Sequence, residues 1–195
     1  YFYKPQTHYG GGSMNNSVRG FFLILTVAAA FLQTAAAADF YVSNFGGDIQ
    51  AAVDAAGSGD TVWVEDGTYV LSTEIHVTNA ITVRGINGPY AAIVDGGSST
   101  RCFRLDDVDC SIIGLGIRNG YVGGWPDDAG AGVYCDESTL PVISNCVIEF
   151  NVADPYENCH GGGLYKGTAI DCIIRNNLAT YGAGASGAIL VRCLV

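Results

Sequence analysis

Basic residues are scarce in this sequence: nine lysines and arginines stand against 19 aspartates and glutamates. Two of the nine, Lys4 and Arg19, precede residue 39, so residues 39–195 carry seven bases, all 19 acids and a net charge of −12. That balance argues against nucleic acid or an anionic membrane as partner. It suits calcium, neutral or cationic glycans, and solubility outside a cell. No Cys-x-x-Cys pair occurs among the seven cysteines, which removes zinc sites of that kind. Beyond residue 57 no long helical periodicity appears, so a fold alternating helices with strands is disfavoured. No apolar run reaches the ~20 residues of a membrane span.

The longest apolar run, 21–32, follows the single methionine, Met14, with Asn15, Asn16 and Arg19, and leads into Ala35-Ala36-Ala37-Ala38. This pattern predicts a signal peptide over 14–38, cleaved before Asp39, and hence a secreted, extracellular or outer-surface protein. Residues 1–13 carry Tyr, His, Gly and Pro without periodicity and read as a non-native upstream extension.

What the rest of the chain has is repetition. Gly130-Ala131-Gly132-Val133-Tyr134 returns as Gly161-Gly162-Gly163-Leu164-Tyr165 and more loosely as Gly182-Ala183-Gly184-Ala185-Ser186. A second element follows each cluster: Asn145-Cys146-Val147-Ile148-Glu149-Phe150-Asn151, then Asp171-Cys172-Ile173-Ile174-Arg175-Asn176-Asn177, then Arg192-Cys193-Leu194-Val195. An earlier copy, Gly114 to Gly120, has leucine in place of the cysteine. Short β-rich units of variable length predict an all-β, right-handed parallel β-helix over 39–195, in which equivalent residues stack ~4.8 Å apart. Three columns follow from the alignment. Leu115, Cys146, Cys172 and Cys193 form an interior one, with the thiols acting as small apolar groups. Arg118, Glu149 and Arg175 form a solvated ladder of alternating charge. Gly120, Asn151 and Asn177 mark a turn, where left-handed backbone and side-chain hydrogen bonds along the stack are expected. Val195 falls inside the fourth copy, which predicts a domain cut short at its C-terminal side. Cys102 with Cys110, and Cys135 with Cys159, are the candidate disulfides of an exported chain.

At the N-terminal side, Phe40-Tyr41-Val42 reads as a strand. Residues 48–56 read as a short amphipathic helix with Asp48 as N-cap, Gly57 as stop, and Ile49, Ala52, Val53 and Ala56 as its apolar face. Such a helix would cap the open end of the first unit. The passage from Ile49-Gln50-Ala51-Ala52-Val53 through Gly59-Asp60-Thr61-Val62-Trp63-Val64 to Gly67-Thr68-Tyr69 resembles the entry segment of the pectin-lyase-like, right-handed parallel β-helix superfamily. The glycine clusters and Arg-Asn-Asn turns resemble repeats of polymorphic outer-membrane and autotransporter-type β-helix proteins. The resemblance implies a fold shared by lyases, hydrolases and adhesins, so function must be read from sites.

Two stretches longer than the regular unit, 121–129 and 153–160, fall at the same stage of consecutive repeats and are expected to project side by side as a binding face. On them, Trp125, Tyr156 and His160 are the candidate glycan-contacting residues. Asp127, Asp128, Asp154 and Glu157 are the candidate oxygen ligands for calcium, the one cofactor the composition invites, with Asp106, Asp107 and Asp109 as an alternative acidic cluster. The resemblance implies an enzymatic alternative, a polysaccharide lyase or glycoside hydrolase acting on uronate-rich polysaccharide. For it, Arg118 and Arg175 would be candidate bases and Asp106-Asp107 or Asp127-Asp128 candidate carboxylate pairs. The Gly-His-Gly and Arg-Ile-Lys signatures of polygalacturonase-like enzymes are not matched; His160 lies between Cys159 and Gly161. With no complete catalytic motif, the leading expectation is non-catalytic adhesion or binding of a polysaccharide or cell-surface glycan.

Overall fold

The computed structural model describes residues 36–43, 46–106, 109–123, 129–136 and 141–195. The upstream extension and nearly all of the expected signal peptide lie outside the described residues. In chain order the elements are β1 (Asp39–Val42), α1 (Ile49–Ala55), β2 (Thr61–Val64), β3 (Gly67–Val70), β4 (Ile75–Val77), β5 (Thr82–Gly85), β6 (Ala92–Asp95), β7 (Phe103–Leu105), β8 (Ser111–Ile113) and β9 (Gly116–Arg118). There follow β10 (Tyr121–Val122), β11 (Val133–Cys135), β12 (Val142–Ser144), β13 (Val147–Glu149), β14 (Val152–Ala153), β15 (Leu164–Tyr165), β16 (Thr168–Ile170), β17 (Ile173–Arg175), β18 (Ala185–Ser186) and β19 (Ile189–Val191).

From β2 onward the chain visits three sheets in turn. The first has the order β1-β2-β5-β8-β12-β16-β19, the second β3-β6-β9-β13-β17 and the third β4-β7-β11-β15-β18, with β10 and β14 forming a separate pair. Their pairings are parallel, and each strand lies beside its counterpart from the preceding repeat. The described residues are thus all-β, built from stacked parallel sheets with one short helix among them.

Period-two alternation sends one side chain of each strand inward. Val62, Val83, Ile112, Ile143 and Ala169 align in the first sheet. Val94, Ile117, Ile148 and Ile174 align in the second, and Ile75, Phe103, Val133 and Leu164 in the third. All of these are buried in one core. Each large aliphatic member contributes ~1.5–3 kcal/mol relative to its exposed state.

Helix α1 does what its amphipathic pattern predicts. Asp48 caps it by accepting from the Gln50 and Ala51 N–H groups, while Ile49 and Val53 are buried against the core. The helix ends at Ala55, with Ala56 as an extended C-cap immediately before Gly57, the expected stop. Gln50 adds what no periodicity reveals. Its Oε1 accepts from the His76 N–H at 2.7 Å and its Nε2 donates to the His76 carbonyl at 3.2 Å. One amide side chain therefore imitates a neighbouring strand along the edge of β4, meeting both polar groups of an otherwise open position.

The asparagine column is an internal ladder. Asn151 is fully buried. Its Oδ1 accepts from the Gly120 N–H at 2.8 Å, and its Nδ2 donates to the Ile117 carbonyl at 3.1 Å and to Asn177 Oδ1 at 3.0 Å. Asn177 Nδ2 repeats the pattern on the Ile148 carbonyl at 2.9 Å. The left-handed residues are the ones just before, Asn119, Phe150 and Asn176, with φ of 53°, 57° and 54°. The turn therefore sits one residue earlier than expected, and it directs Asn151 and Asn177 inward. The same ladder accounts for the glycine clusters: a Cβ on Gly132 would stand 2.4 Å from the Gly163 carbonyl oxygen and 2.9 Å from Asn151 Nδ2.

The seven cysteines are thiols, so neither expected disulfide forms. Cys102 and Cys110 flank β7, whose extended backbone spans ~10 Å from Cys102 to Leu105, and Cys102 points at the Arg118 carbonyl, 3.4 Å away. Cys135 belongs to the main core, whereas Cys159 lies in a small satellite cluster with Val122, Ala131 and Ala153.

Candidate functional site

The two long loops are neighbours at both ends. They leave through the pair β10–β14, with Tyr121 opposite Val152, and they return where Ala129 bridges His160. The next repeat joins them: His160 also bridges Tyr181, and Thr180 Oγ1 donates to the Pro155 carbonyl at 2.8 Å. Three successive repeats so present one tyrosine each on the same side: Tyr121 (36 % exposed), Tyr156 (92 %) and Tyr181 (50 %). His160 stacks on Tyr181 at 4.8 Å with planes 24° apart, and meets Tyr165 at a tilt, 6.3 Å away.

Asp154 organises this face. Its Oδ1 accepts from the Tyr156 N–H at 2.9 Å, fixing the loop turn, and its Oδ2 accepts from the Tyr121 hydroxyl at 3.2 Å. The Asp154 charge and this bond push the Tyr121 phenol above its ordinary range, which keeps it a donor. Glu157 is exposed beside Tyr156.

Tyr121 also forms one wall of a shallow cleft of about 500 Å³, with Thr73, Glu74, Ser99, Thr100 and Arg101 around it. Arg101, 4 % exposed, donates to Glu74 Oε2 at 2.6 Å, to the Gly130 carbonyl at 3.2 Å and to the Ala129 carbonyl at 3.1 Å. It thereby ties the end of the first long loop to the cleft floor through charge-assisted bonds. Hydroxyls, the Glu74 carboxylate and a tyrosine ring converge here, a set suited to a hydroxyl-rich ligand.

The outer face of the third sheet carries a second row, in which His76, Arg104, Tyr134 and Tyr165 stand in register. Its members face one another. Arg101 and Arg104 lie 5.1 and 5.2 Å over the Tyr134 ring, Tyr134 stacks on Tyr165 at 5.5 Å, and Lys166 lies 5.1 Å over Tyr165. Ring faces engaged in this way hold repeats together. Asp106 is likewise engaged, by His76 Nε2 at 2.7 Å and Arg104 Nε at 3.1 Å.

Of the residues singled out from sequence, Tyr156, His160, Asp154 and Glu157 share the loop face. Trp125, Asp127, Asp128 and Asp107 lie outside the described residues. Among the described residues no group of three or more His, Cys, Asp or Glu side chains is placed to hold a metal ion. Arg118 and Arg175 are committed to the charge ladder, to Asp95 at 2.9 Å and to Glu149 at 2.8 Å. Burial opposes ionisation of Asp95, but the Gly97 N–H, Arg118 and Asn119 outweigh it and hold the carboxyl below its usual value. Reasoning from sequence missed Arg101, Tyr121 and Tyr181. Tyr181 directly precedes the Gly182 cluster and Tyr121 opens the first long stretch, which were the available signs. Comparison with protein-family models, with curated proteins and with solved structures found no match.

Proposed function

We propose that this chain is a right-handed parallel β-helix of the pectin-lyase-like kind, exported by its signal peptide, that binds glycans outside the cell without transforming them. The three-sheet parallel stack with its single capping helix supports the fold part of this reading. The functional part rests on one observation: Tyr121, Tyr156 and Tyr181 stand exposed on three hydrogen-bonded neighbouring loops, the first of which also lines a hydroxyl-bearing cleft. Tyrosine offers a rigid amphipathic surface at low entropic cost. The carboxylates of Asp154 and Glu157, with the acidic balance of residues 39–195, select neutral or amino-bearing glycans over polyuronates.

Affinity electrophoresis through gels containing a neutral β-glucan, chitosan or polygalacturonate tests this. The wild-type chain is expected to be retarded by the first or second and not by the third. Changing the three tyrosines together to alanine is expected to abolish retardation. Equal mobility of wild type and triple variant in every gel would overturn the reading.

A further inference from the structure

Three cysteines stack at one corner of the fold, where the chain passes from the first sheet to the second. Val147 pairs with Ile173, and Ile173 bridges Leu194, so the preceding residues Cys146, Cys172 and Cys193 stand in adjacent, aligned positions. Their surroundings repeat. Each Sγ lies against the carbonyl two residues earlier: Ser144 at 3.2 Å, Ile170 at 3.4 Å and Val191 at 3.4 Å. Each also lies against a carbonyl of the preceding repeat: Ile112 at 3.8 Å, Ile143 at 3.5 Å and Ala169 at 3.4 Å. Cys146 and Cys172 are buried and Cys193 is partly exposed. An independent feature locks the register here: Arg192 grips Asp171 through two bonds of 2.7 Å, immediately before Cys193 and Cys172.

Adjacent parallel strands hold aligned Cα atoms ~4.8 Å apart, inside the ~4.4–6.8 Å window for a disulfide. The Cβ atoms must approach to ~3.8 Å, about 1 Å closer than parallel stacking gives, so the bond forms under strain and is readily reversed. We infer that Cys172 and Cys193 form a reversible thiol–disulfide exchange site for low-molecular-weight disulfides, with Cys146 as a reserve thiol that can take over the bridge.

The chemistry balances in two displacements. The Cys193 thiolate attacks one sulfur of a small disulfide RSSR, forming a Cys193–S–S–R bond and releasing RS⁻. The Cys172 thiolate then attacks the Cys193 sulfur and releases the second RS⁻, so that two protein thiols are oxidised and one RSSR is reduced to two RSH. Cys146 can attack Cys172 in turn and return Cys193 to the thiol. Interaction with the neighbouring Cys146 lowers the Cys172 thiol, while burial raises Cys146. This favours the second displacement, in which Cys172 is the attacking thiolate.

Treating the folded full chain with excess oxidised glutathione, then mapping peptides without reduction, tests the site. The expected product has lost two of its seven thiols, holds a Cys172–Cys193 cross-link and carries no glutathione. Cys193→Ala is expected to yield the Cys146–Cys172 cross-link more slowly. Cys172→Ala is expected to stop at a Cys193–glutathione adduct. A wild-type chain that keeps glutathione on Cys193, remains unreacted at all three positions, or joins a different pair would overturn the inference. So would a Cys146–Cys193 cross-link in Cys172→Ala, since those residues are two repeats apart.

Discussion

Replacing Asn151 by alanine tests the internal architecture at its most connected point. The side chain is fully buried and serves the Gly120 N–H, the Ile117 carbonyl and Asn177 Oδ1. Alanine leaves the Gly120 N–H without its partner in a dry corner and removes the second bond to the Ile117 carbonyl, which keeps its place in the β9–β13 ladder. At ~1–3 kcal/mol for the buried unsatisfied N–H and ~0.5–1.5 kcal/mol for the lost bond to the carbonyl, the loss is ~1.5–4.5 kcal/mol, a large part of the ~5–15 kcal/mol typical of a whole domain. Asn177 Oδ1 is spared, because the Asn151 backbone N–H still donates to it at 3.0 Å. Urea unfolding followed by circular dichroism measures the change, as a lower midpoint at constant slope. Asn177→Ala, at a partly exposed position, is expected to cost less because water can reach its partners. Asn151→Asp keeps the shape but loses the donor and buries a carboxyl. Its folded pKa must rise above the unfolded value, so its stability deficit should be small in acid and grow as the pH rises through the carboxylate range. An Asn151→Ala chain within ~1 kcal/mol of wild type, or an Asn177→Ala chain equally damaged, would refute this account of the ladder.

Other expectations are as direct. Gln50→Ala removes both bonds to the His76 backbone and should lower stability by ~1–3 kcal/mol, with faster hydrogen exchange at the His76 amide as the specific readout. Gly132→Ala drives a Cβ to 2.4 Å from the Gly163 carbonyl oxygen, and should cost at least the ~1–3 kcal/mol of an overpacked core in thermal unfolding. Asp95, held below its usual value, contributes stability that is complete above the unfolded aspartate value of ~3.9. That contribution disappears as the pH falls through the lower folded value, so Asp95→Asn should flatten the acid limb of a stability–pH curve. Unchanged acid sensitivity in that variant would remove the Asp95–Arg118 pair from the explanation.

The strands and the cysteine and charge columns were legible because a stacked repeat writes each interior position several times. Val83 alternates with the polar Thr82 and Arg84 as a half-buried strand must, and Cys146, Cys172 and Cys193 align by inspection. The role of the glycines was not legible. Gly132 and Gly163 have no side chain because Asn151 and Asn177 reach across toward them, a relation between residues far apart in sequence. The turn was misplaced by one residue because Phe150, not an asparagine or glycine, takes the left-handed conformation in the middle copy. The site divides in the same way. Loop length marked the two neighbouring loops, yet Arg101 carries no sign in sequence that it will be buried and grip Ala129 and Gly130. Nor could spacing separate Tyr134 and Tyr165, whose faces are stacked, from Tyr156, which stands 92 % exposed.

A glycan array probed with the full chain and with the Tyr121→Ala, Tyr156→Ala, Tyr181→Ala triple variant addresses the binding face most directly. Binding of wild type to neutral or amino-bearing glycans, lost in a triple variant of unchanged circular dichroism, is the expected result. Retained binding in the triple variant, or release of unsaturated uronates from an arrayed polysaccharide, would contradict a non-catalytic site on these loops.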